Sequence, residues 1–167
     1  VDCMPAYIDK KNIDLFTKHA VLTETEMRAR YEIHLENYCK VTAIEAHTLL
    51  DMVTRCILPA AGKYADRLAQ TLFHKKNCGI SLPTVMEERT LTRVSEQSAA
   101  LFRICEDLQT ALHNAPAADG GIDVARWYRA EIAARTQQAG ELINQLEAIV
   151  DAACWPYPTY ADILFSV

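Results

Sequence analysis

The sequence predicts an all-α protein, an antiparallel bundle of three long, coiled-coil-like helices. Apolar residues recur at steps of three and four over long stretches. No stretch alternates with the period of two that strands need, and no strand–turn–strand signal occurs. At 167 residues the chain suits one domain with a real core. Half of it (50%) is hydrophobic, with only five glycines and six prolines, which excludes a linker, a collagen or a low-complexity segment.

Residues 1–22 read as a lead-in segment in which Ile8, Ile13, Leu15 and Phe16 predict a short helix after Pro5. Residues 23–154 are the bundle. Its first helix opens on the capping box Thr23-Glu24-Thr25-Glu26, where hydroxyl and carboxylate satisfy orphan amide donors. A stripe follows at Met27, Tyr31, Leu35, Tyr38, Thr42, Ala46, Leu49, Val53, Ile57, Ala60, Tyr64, Leu68 and Leu72. Pro59 removes one backbone donor from this helix. Because the stripe stays in phase across it, a kink is expected there and not an end.

Asn77, Gly79 and Pro83 mark a turn, with Gly79 suited to a left-handed cap. A second capping box, Thr84-Val85-Met86-Glu87, opens the next helix. Its seam runs Glu87, Leu91, Val94, Ser98, Leu101, Cys105, Leu108 and Leu112 in alternating steps of four and three. Residues 114–121, with Pro116 and the pair Gly120-Gly121, break the pattern. The third helix is expected from Ile122 to Ala153, with Val124, Tyr128, Ile132, Ala139, Leu142, Leu146 and Ile149 inward and Arg135 on the same seam. Residues 155–167 form an irregular tail, because each residue before a proline in Trp155-Pro156-Tyr157-Pro158 is held extended. Thr159 is placed to cap a last short turn.

Several function classes fall away on composition. The net charge of −5, with the acids dispersed, lacks the footprint of a nucleic-acid binder. No run reaches the ~18 apolar residues of a membrane span, and no secretory signal opens the chain. The first residues, Val1-Asp2, include no initiator Met, so a piece of a longer protein is expected.

Motifs for chemistry are also missing. No two of the six cysteines lie within sixteen residues of each other, against both a structural zinc site and a disulfide scaffold. Reduced, mostly buried thiols are expected. Neither Glu-x-x-His nor His-x-x-x-His occurs. Glu32 and Glu36, with Arg28 and Lys40 at steps of four, read as a solvated ion-pair ladder. His74 and Cys78 are a weak ligand pair, since a helix end is expected between them. Gly62-Lys63 has no upstream glycine at phosphate-loop spacing, and no serine stands in a nucleophile elbow. No catalytic, cofactor-binding or metal residue is assigned.

Irregular segments carry more information. The run from Arg30 to Lys40, followed by Ile44-Glu45-Ala46, Asp51-Met52-Val53, Ile57-Leu58-Pro59-Ala60-Ala61 and Tyr64, resembles the C-terminal region of type III glutamine synthetases. Lys11-Asn12-Ile13-Asp14-Leu15-Phe16 and the run from Trp155 to Phe165 resemble the same family, in the same order. The likeness is patchy between about Leu82 and Ala153. The resemblance implies a cytoplasmic, ring-shaped homo-oligomeric parent that ligates glutamate and ammonia using ATP and Mg²⁺. It further implies that catalysis belongs to a β-sheet domain upstream. This chain would be the non-catalytic appendage, inactive alone, serving assembly or regulation, with that catalytic domain and neighbouring subunits as partners. The alternative is a free-standing helical protein–protein interaction module. A metal or small-ligand enzyme built in the bundle core lacks ligands.

The tail supplies the candidate interface: Trp155, Tyr157, Tyr160, Leu164 and Phe165, with Asp162 its only charged side chain. At ~1.5–3 kcal/mol for each large side chain fully buried, such a strip gains by docking. The catalytic body or a neighbouring subunit is the expected seat. Packing on its own bundle would require a matching groove between the helix seams.

Overall fold

The computed structural model describes residues 1–158 and 160–165, with the backbone alone for Tyr160 and Ala161. Among these residues every regular element is helical. The lead-in comprises α1 (Met4–Tyr7) and α2 (Lys10–Lys18). Next come α3 (Glu24–Met52), a π-helical turn (Val53–Ile57) and α4 (Leu58–Asn77), with no loop between them. After α5 (Val85–His113), a second uninterrupted series follows: α6 (Gly121–Trp127), a π turn (Tyr128–Ala133) and α7 (Ala134–Glu147). The short α8 (Tyr160–Leu164) lies in the tail.

Local chemistry explains the start of α3. The Thr23 amide donates to Glu26 Oε2 at 2.8 Å, and the Glu26 amide donates to Thr23 Oγ1 at 3.2 Å. Each residue therefore satisfies the other's orphan donor. The Thr23 amide, and then its hydroxyl, hold the Glu26 carboxyl below its ordinary range. Every residue of the stripe from Met27 to Leu72 is buried or half-buried.

Pro59 stands in the first turn of α4, and Met52, Ile57 and Leu58 all keep right-handed helical dihedrals. The Leu58 amide donates to the Val53 carbonyl, a step of five in place of four. One residue is thus looped into the helix just ahead of the proline.

Chain contacts divide the protein into two compact units. One combines Val1–His47 with Leu108–Thr136. Its interior holds Ile13, Met27, Leu35, Cys39, Ala46, Leu108, Ala111, Ala125, Tyr128 and Ile132. The Tyr128 hydroxyl donates to the Pro116 carbonyl at 3.2 Å, so this phenol is not left unsatisfied. Burial first, and then the nearby Cys39, push the Tyr128 phenol above its usual range. Asp2 and Arg129 close the unit with an ion pair.

The other unit combines Thr48–Asp107 with Gln137–Val167. Its core is one cluster: Val53, Ile57 and Ala61; Val94, Leu101 and Cys105; and Ala139, Leu146, Val150 and Cys154. Leu49, Tyr64, Ile104, Leu142, Ile149, Trp155 and Tyr157 pack around it.

Two local expectations are corrected. Glu87 does not fold back on Thr84 as a capping box; it points inward, 2% exposed, and pairs with Lys75. Thr84 Oγ1 donates instead to Glu88 Oε1 at 3.1 Å. Seam position outweighs the cap, because Glu87 shares the buried face with Val94 and Leu101. The third helix ends at Glu147, short of Ala153. Asp151 takes over the backbone there: its Oδ1 accepts from the Ala153 amide at 2.8 Å, and its carbonyl accepts from Cys154 at 2.7 Å and Trp155 at 3.1 Å. Such side-chain bonding competes directly with helix continuation.

Gly79, at φ +80°, takes the left-handed conformation its position predicts. Arg135, on the third seam, is half-buried and donates to both the carbonyl and the carboxylate of Glu131 at 2.6 Å. Of the expected ion-pair ladder only Lys40–Glu36 forms among the described residues; Arg28 turns back one helical turn to pair with Glu24 and leaves Glu32 without an ion pair.

Candidate functional site

The tail leaves α7 through a turn that α4 clamps. Arg67 Nη1 lies 3.3 Å from Asp151 Oδ2 and donates to Cys154 Sγ at 3.2 Å. This contact fixes the direction in which the chain enters Trp155-Pro156-Tyr157-Pro158. The two prolines keep that segment out of a helix.

From there the tail splits into two halves. Trp155 and Tyr157 are half-buried and pack against the core of their own unit, so the outward-facing strip expected from sequence is shorter than the whole tail. A hydrogen bond with Cys56, then burial, then the charges of Cys56 and Asp51 raise the Tyr157 phenol above its usual range. Beyond Pro158 the character changes: Leu164 is 72% exposed and Phe165 78%. The Tyr160 side chain and Thr159 lie outside the described residues. Between the two halves opens a pocket of about 270 Å³, walled by Leu49, Met52, Ile143, Trp155 and Tyr157, with Glu147 and Ile163 at its lining. Sequence periodicity cannot show such a pocket, because it forms where an irregular segment crosses two helix seams.

Chemistry elsewhere is sparse. Among the described residues, no three His, Cys, Asp or Glu side chains gather as metal ligands would. Cys78 turns its thiol to the Lys75 carbonyl at 3.1 Å, and His74 meets the ring of Phe73 edge-on. All six cysteines are free thiols: Cys39, Cys105 and Cys154 buried, Cys56 half-buried, and Cys3 and Cys78 exposed. Burial holds the Cys39 and Cys105 thiols above their usual range. No helix of the described residues is long and apolar enough to cross a membrane.

Comparison with known proteins gives this surface its context. Residues 1–76 match the family described as the glutamine synthetase C-terminal domain. Over that stretch the chain is similar to this family. A glutamine synthetase of Butyrivibrio fibrisolvens is 29% identical over 166 residues, covering 99% of this chain and 24% of that protein. The type-3 glutamine synthetase of Dictyostelium discoideum is 24% identical over 166 residues, covering 93% of this chain and 22% of its own length. A glutamine synthetase of Bacteroides fragilis (strain YCH46) is 24% identical over 164 residues, 96% of this chain and 22% of its own. The chain therefore spans about a quarter of the length of the curated relatives it matches. The glutamine synthetase C-terminal domain match covers α1 to α4, whereas the tail and pocket residues Glu147 to Phe165 fall beyond it.

Proposed function

We propose that this chain is the non-catalytic C-terminal appendage of a type III glutamine synthetase, serving the assembly or regulation of that enzyme. The observation that carries the reading is the pattern of coverage. Nearly the whole chain aligns with three glutamine synthetases, yet it accounts for only about a quarter of each. The parent would ligate glutamate and ammonia in the cytoplasm, with ATP and Mg²⁺ held by the remaining three quarters. It would do so as a ring-shaped homo-oligomer.

In this reading the three long helical series form an antiparallel bundle, and the first bends at the π turn beside Pro59. The exposed side chains Leu164 and Phe165 are the part of the tail that docks on the catalytic body or a neighbouring subunit. Two large apolar side chains left in water at these exposures favour burial by ~1.5–3 kcal/mol each when the seat is complete. Trp155 and Tyr157 act differently: they anchor the tail to its own unit and so aim the docking half.

The test is made on the full-length enzyme. Deleting residues 155–167, or replacing Leu164 and Phe165 by serine, is expected to lower the oligomeric fraction and the Tm. The isolated 167-residue chain is expected to show no ATP-dependent glutamine formation. Unchanged assembly, stability and activity in both variants would refute a docking role.

A further inference from the structure

The pocket of the second unit carries a charge that its surroundings leave unanswered. Its wall is apolar and aromatic, and Glu147 is the one carboxylate that lines it. Among the described residues the Glu147 carboxylate has no hydrogen-bond or ion-pair partner. Glu147 is also the last residue of α7, where the helix dipole opposes a negative charge. It is half-buried beside the tail and not fully in solvent. Neither stability nor capping accounts for an acid at this position.

Three features together select a ligand class. Aromatic rings such as Trp155 and Tyr157 attract a positive charge through their quadrupole. A carboxylate beside them supplies the opposite charge and repels anions. The Leu49, Met52 and Ile143 wall favours an apolar body. We propose that this pocket binds a small organic cation with an apolar body, an aryl- or alkylammonium, with its charged head toward Glu147. The site rests on the geometry of one unit and not on the assembly reading, although Trp155 and Tyr157 serve both.

Trp155 is its own reporter. The other tryptophan, Trp127, lies in the first unit and is silenced by Trp127→Phe. In this variant of the 167-residue chain, Trp155 emission is followed during titration with phenethylammonium, its neutral isostere phenethyl alcohol and the anion hydrocinnamate. Phenethylammonium is expected to bind about tenfold more tightly than the alcohol, and hydrocinnamate to give no saturable change. Adding Glu147→Gln should bring ammonium and alcohol within about twofold of each other, at an unchanged Tm. Equal affinity for ammonium and alcohol in the Glu147 protein would overturn the proposal, as would the absence of saturation by any of the three. Retention of the ammonium preference by Glu147→Gln would overturn it as well. The three-ligand comparison in the Glu147 protein decides the matter even if the glutamine variant fails to fold.

Discussion

Lys75 Nζ lies 2.5 Å from Oε1 of Glu87, whose carboxylate is buried in the turn region between α4 and α5. The same ammonium donates to the Pro83 carbonyl at 3.3 Å, so a single lysine ties the end of α4 to the loop and to the start of α5. Next to it, Lys76 and Glu88 form a pair at 3.0 Å with both side chains about half in solvent. The two pairs are an internal comparison of a buried and an exposed ion pair.

Lys75→Met should destabilise the chain clearly more than Lys76→Met, since it strands a buried carboxylate whose Oε2 already has no partner. Combining Lys75→Met with Glu87→Leu should recover most of the loss. Urea midpoints for the four proteins check this. Equal midpoints for the two single variants would contradict it.

The same pair gives a pH dependence with a definite sign. The hydrogen bond from Lys75, chiefly, holds the folded Glu87 carboxyl below its ordinary value of 4.5. A carboxyl with a lowered folded pKa contributes its stabilisation fully above the unfolded value. It loses that contribution as the pH falls through the folded one. The Tm gap between wild type and Glu87→Gln should therefore be constant near neutrality and close on acidification below about pH 4.5. Melts across that range measure it, and a gap that widens on acidification would count against the assignment.

Leu101 is fully buried in the second unit's core, whereas its neighbour Phe102 is 50% exposed. Leu101→Ala should cost ~2–5 kcal/mol by lost burial and a residual cavity. Phe102→Ala should cost no more than ~0.5 kcal/mol. Urea unfolding with a shared m-value distinguishes the two. A larger loss at Phe102 would place the seam on the wrong face.

Much of this architecture was legible in the sequence. Steps of three and four from Met27 to Leu72 name the side chains that the structure buries or half-buries, and Gly79 announces its own left-handed turn. The π turns were not legible. The four-residue steps Leu49–Val53–Ile57 do match a widened turn, but the equal steps Met27–Tyr31–Leu35 occur in ordinary α-helix. The pattern is degenerate, and backbone geometry decides it. Glu87 misled for another reason: Thr-x-x-Glu has one meaning at an exposed helix start and another where a lysine twelve residues earlier can reach the carboxylate. The candidate interface residues were visible as apolar side chains in an irregular tail. Their division into the anchored Trp155 and Tyr157 and the exposed Leu164 and Phe165 depends on packing that periodicity does not encode.

The capping box at Thr23 was readable in full, and it offers a clean local test. Thr23→Ala removes the hydroxyl acceptor for the Glu26 amide and should cost ~0.5–2 kcal/mol. Thr23→Ser should restore most of it. Far-ultraviolet circular dichroism during urea titration measures both. No difference between alanine and serine would mean that the cap contributes nothing.

In the proposed function this chain is one part of a glutamine synthetase about four times its length. The most direct measurement is the mass of the native polypeptide captured from its source with an antibody raised against residues 1–167. The eluate is assayed in parallel for ATP-dependent glutamine formation. The expected result is a polypeptide about four times longer than this chain, carrying the activity. A free chain of 18.7 kDa with no synthetase in the eluate would contradict it and establish the free-standing interaction module instead.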